Sequence, residues 1–240
     1  MSLFGRARRG MRRVVGRYPA LYLPWVRSRR KAFDGSDKAV SSATQIVIEG
    51  YPRSGNSFAF AAFRLAQPTE TSIAHHLHAP AQVITAVRRG IPTLVVIRSP
   101  DDAVVSMLVR NPAMTPRDAF KDYIAFHRPL VSYTDGMVVA DFSEVTTDFG
   151  GVVRRLNARF GTRFVEFVHS DENVERCFEL LERIHGTVSA GRDDFEAGVA
   201  RPSPERDRPK AAVRRALEHR DLEHIRRDAR DLYDRFLHLA

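Results

Sequence analysis

The chain has 240 residues, 43% of them hydrophobic, which suits one domain with its own core, and it has no run of about 18 apolar residues that would cross a bilayer as a helix. Its formal charge of +9 is concentrated at the start: Arg6, Arg8, Arg9, Arg12, Arg13, Arg17, Arg27, Arg29, Arg30 and Lys31 precede the first acidic residue, and residues 32–240 are close to neutral, which excludes a nucleic-acid-binding body, since that needs its basic face on the fold. The single cysteine, Cys177, rules out an internal disulfide and fits a reducing, cytoplasmic setting; among the helix-forming residues Glu172 to Ile184 it reads as a buried structural thiol.

Residues 1–42 form a basic arm and linker. The arm also carries Leu3, Phe4, Val14, Val15, Tyr18, Leu21, Tyr22, Leu23 and Trp25, and basic plus aromatic residues suggest contact between residues 1–31 and an anionic membrane, at its inner face. A solvated, partly disordered arm is an equal alternative. Either way, removing residues 1–31 is expected to spare activity. The segment lacks the continuous apolar stretch and small-residue cleavage site of a signal peptide, and Asp34 to Ser42 reads as a linker.

Residues 43–240 form the body. Gln45 to Glu49 is a short β-branched strand; Gly50 to Ser57 is a turn, and Phe58 to Leu65 an apolar helix. Pro80 to Arg89 reads as a helix. Thr93 to Arg98 has the apolar character of a parallel strand buried on both faces. Asp101 and Asp102, after Ser99-Pro100, are placed to cap a helix through Arg110. A helix over Arg117 to Ser132 and a strand over Met137 to Asp141 follow, then helices over Phe149 to Phe160, Glu172 to His185 and Pro209 to Leu239. Strands alternating with helices predict an α/β domain: a mainly parallel sheet with helices on both faces, a three-layer sandwich of the P-loop type. Ligands of such sheets sit beyond the carboxyl ends of the strands.

Two motifs fall at those ends. Gly50-Tyr51-Pro52-Arg53-Ser54-Gly55-Asn56-Ser57 has the frame G-x-x-x-x-G-x-S between a strand and a helix, the setting in which successive amides cradle an anion. A nucleotide-hydrolysing loop needs lysine where Asn56 stands; here the positive charge is Arg53. The second motif is Arg98-Ser99-Pro100-Asp101-Asp102, followed by Ser106. A guanidinium at a strand end beside such a loop suits a phosphate, although an ion pair of Arg98 with Asp101 or Asp102 explains it equally well.

The pair resembles the cofactor motifs of sulfotransferases that use 3′-phosphoadenosine 5′-phosphosulfate (PAPS). In that family a Y-P-[KR]-S-G-[TN]-[TS] loop holds the 5′-phosphosulfate, and a strand-end R-x-P-x-D-x-x-x-S holds the 3′-phosphate. Residues 51–57 match the first, and Arg98, Pro100, Asp102 and Ser106 match the second; Phe58 stands where many members carry tryptophan. The resemblance implies that Arg53, Ser54, Gly55, Asn56 and Ser57 bind the 5′ end of PAPS, that Arg98 and Ser106 bind the 3′-phosphate, and that Arg53 assists the departing phosphate. The family's late G-x-x-G-x-W-K stretch is missing. Ala200 to Lys210 is the candidate replacement, with Arg201 or Arg206 meeting the 3′-phosphate, and this departure places the chain nearer to diverse bacterial members.

An acceptor hydroxyl must also lose its proton. His75, His76 and His78 lie between the motifs, where animal members carry a histidine in T-H-L-P; His76 is the first candidate base and His78 the second. A metal site is not expected, because no cysteine lies nearby and the spacing lacks an i, i+4 pair. The expected activity is sulfuryl transfer from PAPS to a hydroxyl of a carbohydrate, glycolipid or small metabolite. The alternatives are a catalytically inactive module of the same fold, or a P-loop nucleotide kinase.

Overall fold

The computed structural model describes residues 3–27, 39–188 and 204–240, and their side chains over 9–27, 39–184 and 209–240. The elements in chain order are α1 (Leu3–Val15), α2 (Pro19–Arg27), β1 (Ile46–Gly50), α3 (Asn56–Ala66), β2 (Ile73–His75), α4 (Pro80–Arg88), β3 (Thr93–Ile97), α5 (Pro100–Arg110), α6 (Pro116–His127), a 3₁₀ segment (Arg128–Gly136), β4 (Val138–Asp141), α7 (Phe142–Thr147), α8 (Phe149–Phe160), α9 (Asp171–Val188), α10 (Pro204–Leu217), a 3₁₀ turn (Arg220–Leu222) and α11 (Glu223–Leu237).

The four strands among the described residues are parallel, in the order β2-β1-β3-β4. Every residue of β1, β2 and β3 is buried, as a parallel sheet covered on both faces requires. Side chains alternate across it. Ile46, Ile48, Leu94, Val96, Val138 and Ala140 enter a core shared with α3, α8 and α9. Val95, Ile97 and Val139 enter one shared with α5, α6 and α11. Val47 and Ala74 meet α2 and α4. The chain is thus an α/β three-layer sandwich. Cys177 belongs to the first core, and burial raises its thiol to about 12, so it is packing rather than chemistry. Among the described residues no helix is long and apolar enough to cross a membrane.

Several boundaries differ from the sequence reading. The helix expected through Ser132 ends at His127 and continues as a 3₁₀ segment, because Pro129 lacks the amide an α-helix needs. The helix expected over Pro209 to Leu239 is two, broken where the His219 side chain accepts the Asp221 amide and caps the turn between them. Asp101 and Asp102 lie inside the first turn of α5 rather than at its cap, a position held by Ser99. The histidine segment, to which the sequence reading gave no element, opens with a strand, β2, which takes its register from β1 through Ile48↔His75.

The basic N-terminal segment lies on the body. Tyr22, Leu23 and Val26 are at most 4% exposed and pack with Val47, Ala74 and Leu77. Arg13 donates to Asp122 Oδ1 at 2.5 Å and to Asp118 Oδ1 at 3.0 Å on α6, and Gly16 supplies a carbonyl to the Ala81 amide at 2.9 Å. Removing residues 1–31 would therefore uncover apolar surface of the body. Leu23→Ala should destabilise the fold by ~2–4 kcal/mol, as buried leucine truncations do; Met11→Ala, at a side chain 65% exposed, should stay within ~0.5 kcal/mol. Urea midpoints of the two variants test this, and equal small shifts would mean that α2 does not belong to the core.

Candidate functional site

The register brings the carboxyl ends of the strands together: Gly50 pairs with Val96, Ile97 with Asp141, and Ile48 with His75. The loop after β1 turns sharply into α3. Gly50 faces the Val96 carbonyl so closely that a Cβ would collide with it, and Gly55 has φ +99 with the Phe142 ring 3.1 Å from where a Cβ would lie; both positions need glycine. Arg53 holds φ 72 without being glycine, a conformation that costs on the order of 1 kcal/mol or more and persists only where its surroundings impose it.

Those surroundings join the two sequence motifs. Arg53 Nε donates to Ser106 Oγ of α5 at 3.0 Å, and Arg98 Nη1 donates to the Arg53 carbonyl at 2.9 Å. The Arg98 guanidinium stacks 4.0 Å over the Phe142 ring, and Tyr123 Oη donates to the Arg98 carbonyl at 2.8 Å. Burial lowers the Arg98 pKa; Asp102 opposes this and Arg214 adds to it. The ion pair that would have explained Arg98 away has other owners. Asp101 binds Arg226 and Arg230 of α11, and Asp102 binds Arg214 of α10 at 2.6 Å.

Of the remaining loop residues, Gly55 stands at the N-cap and Asn56 and Ser57 open α3, where helix geometry leaves amides without intrahelical partners. Asn56 is 3% exposed and its Nδ2 donates to the Tyr51 carbonyl at 2.9 Å, so position 56 braces the turn. Ser54 is turned inward: its amide donates to the Tyr51 carbonyl at 3.2 Å, and its buried hydroxyl lacks a hydrogen-bond partner. Arg201 lies outside the described residues, and Arg206 falls in α10 with its side chain outside the description.

The histidines crowd the same edge. Ser57 Oγ and His76 Nε2 are 2.9 Å apart, His75 Nδ1 and His76 Nδ1 2.6 Å, and His78 Nδ1 donates to the Gly50 carbonyl at 2.8 Å. Both His76 (φ 54) and His78 (φ 51) are left-handed. What holds them is Glu49, fully buried, whose carboxylate accepts the Leu77 amide at 2.6 Å, the His78 amide at 3.0 Å and Gln82 Nε2 at 2.9 Å. Among the described residues no group of histidine, cysteine and acidic side chains is arranged to hold a metal ion. Sequence reasoning missed Glu49, Phe142, Tyr123 and Arg214; only Glu49, a charged residue inside an apolar strand, carried a local signal.

The chain matches no protein-family model and no curated protein. Among solved structures it is similar to mouse sulfotransferase SULT7A1 complexed with PAP, with a TM-score of 0.43 and 12% identity over 86% of this chain and 94% of that one.

Burial raises the Glu49 carboxyl to about 7, against the pull of the amides that bind it. The folded state therefore keeps a proton that the unfolded chain loses above about pH 4.3, and this group's effect on stability falls as pH rises from there to about 7. Buried His127, lowered to about 4, has the opposite slope between about pH 4 and 6.5. Glu49→Gln removes the first effect alone. Relative to the parent, the variant should gain up to ~3 kcal/mol between pH 4.5 and 7; urea midpoints across that range measure it, and parallel curves would mean that Glu49 titrates normally.

Proposed function

We propose that this chain transfers the sulfuryl group of PAPS to an acceptor hydroxyl. The observation that carries this reading is the clamp at the strand ends: Arg53 on Ser106, with Arg98 on the Arg53 carbonyl. It makes the two phosphate-suited motifs one continuous cationic edge at the start of α3. The donor set fits a ligand with phosphate at both ends: a helix N-terminus with an arginine at one, and Arg98, Ser106 and neighbouring Arg214 at the other. A nucleotide kinase fits less well, because its essential lysine position holds an asparagine buried in the turn.

Bound there, PAPS supplies an S–O bond to its 5′-phosphate, which breaks as the acceptor oxygen bonds to sulfur. Arg53 and the first amides of α3 offset the charge gathering on the departing phosphate oxygen. Arg98 fixes the opposite end through a stacked, partly desolvated guanidinium. The acceptor's proton goes to the histidine segment. A carbonyl only accepts, so His78 Nδ1 carries a proton toward Gly50, and in the neutral ring Nε2 keeps the lone pair. His76 Nε2 lies 2.9 Å from Ser57 Oγ and His76 Nδ1 2.6 Å from His75 Nδ1. We assign His78 as the base on the tautomer that its Nδ1 bond to the Gly50 carbonyl fixes, and His76 as the group that positions Ser57.

The product 3′-phosphoadenosine 5′-phosphate (PAP) at a hundredfold excess over its Kd should stabilise the protein by ~2.7 kcal/mol, a Tm rise of roughly 5–10 °C, while ATP–Mg²⁺ should do less. Arg98→Ala should weaken PAP by ~1.5–3 kcal/mol and remove its advantage over adenosine 5′-phosphate. A larger shift with ATP–Mg²⁺ would favour the kinase, and no shift with either nucleotide would reject the cofactor assignment.

Single alanine variants of His75, His76 and His78, assayed with radiolabelled PAPS and a hydroxyl acceptor panel, locate the base. His78→Ala should lose ~10²–10⁴ in turnover with PAP affinity retained. Loss confined to His76→Ala moves the role there, and three active variants leave the base outside this segment.

A further inference from the structure

The N-terminal helices have a second face. While Tyr22, Leu23 and Val26 turn into the core, Met11 (65% exposed), Val14 (56%), Tyr18 (43%), Leu21 (62%) and Trp25 (42%) face outward. Met11 and Val14 share one side of α1, and Leu21 and Trp25 one side of α2, by helical spacing. Single exposed apolar residues are ordinary. Five within fifteen residues, opposite a buried face, form an exposed apolar surface.

The segment that carries it is of one sign, since no acidic residue precedes Asp34. The arginines divide by task. Arg13 is spent on Asp118 and Asp122 of α6, and Arg9 lies 3.7 Å from Asp122. Arg12, Arg17 and Arg27 are instead bonded to neutral groups: Arg12 to the carbonyls of Leu77 and His78 at 3.0 and 3.4 Å, Arg17 to the Tyr18 hydroxyl at 2.6 Å, and Arg27 to the Val40 carbonyl. These bonds do not themselves neutralise the positive charge; of the three, Arg12 also lies within electrostatic reach of Asp122. An apolar surface rimmed by guanidinium groups is complementary to a bilayer with anionic headgroups, where arginine stems and indole rings lie along the interface. A second copy is a poor occupant, because a two-fold contact would set two all-basic helix pairs against each other.

We propose that the outward faces of α1 and α2 dock this protein on an anionic lipid surface. The docked helices also touch the histidine segment, through Arg12 on Leu77 and His78 and through Gly16 on Ala81. If the sulfotransferase reading holds, the acceptor side of the site is tied to the membrane-facing helices, which favours an acceptor carried on a lipid.

Trp25 is the only tryptophan in the chain and reports docking by itself. Full-length protein is titrated with phosphatidylcholine vesicles and with vesicles in which about a third of the lipid is phosphatidylserine, with tryptophan emission and co-sedimentation as readouts. The expected result is a blue shift and sedimentation with the anionic vesicles alone, weakened by high salt. Leu21→Asp should raise the apparent lipid Kd about tenfold or more while leaving Tm and the PAP-induced Tm rise unchanged; Val14→Asp tests the α1 side in the same way. Absence of sedimentation and of a blue shift at low salt overturns the proposal. So does a concentration-dependent dimer that Leu21→Asp dissolves without any vesicle binding. Vesicle binding without a PAP-induced Tm rise keeps the docking surface and rejects the sulfotransferase reading; a PAP-induced rise without vesicle binding does the reverse.

Discussion

A buried carboxylate organises the carboxyl edge of this sheet. Glu49 sits at the end of β1 with no exposure to solvent, a placement that costs several kcal/mol unless donors converge on it. They do: two amides of the histidine segment and the Gln82 side chain, which in turn accepts the Val40 amide at 2.9 Å. One side chain thereby ties the central strand to the loop after β2, to α4 and to the chain entering the domain. Because its acceptors lie one residue before the phosphate-type loop, the histidine segment is set against that loop by a network of fixed geometry.

The strained backbone is intelligible on this basis. Arg53, His76 and His78 are the non-glycine residues with positive φ among those described, and all three surround one edge. Each is over-determined: Arg53 by Ser106 and by Arg98 on its carbonyl, His76 and His78 by Ser57, Gly50 and Glu49. Strain that persists under such bracing is a mark of pre-organised sites. Its concentration at the strand ends, and not at remote turns, separates this edge from the rest of the surface.

Much of the fold was legible because parallel strands are apolar on both faces and helices carry a 3.6-residue period; β1, β3, β4 and α8 follow from those patterns. Both sequence motifs were legible because each is a contiguous stretch. What escaped depends on distant partners. β2 is three residues long and is a strand only through β1. The N-terminal helices look like a free basic arm until Arg13 meets Asp122 across 109 positions. The ownership of Asp101 and Asp102 by arginines more than 100 residues downstream was equally hidden, so Arg98 could not be separated from an ordinary ion pair by its neighbours in sequence.

That ownership changes what Arg98 can do. Had Asp101 or Asp102 been its partner, the guanidinium would have been neutralised, and an arriving phosphate would have had to displace a carboxylate. Instead the two acids draw α10 and α11 onto the first turn of α5, where their negative charge also suits the helix dipole. Arg98 is left on an aromatic ring and a backbone carbonyl. Those partners fix the plane of the fork, while Asp102 and Asp141 act on it through space rather than as bonded partners. Arg53 is held at the same edge by the Ser106 hydroxyl on its Nε. The Ser106 hydroxyl and the Arg53 carbonyl thus help to orient the two arginines of the edge, and Asp101 and Asp102 tie α10 and α11 into the wall behind them.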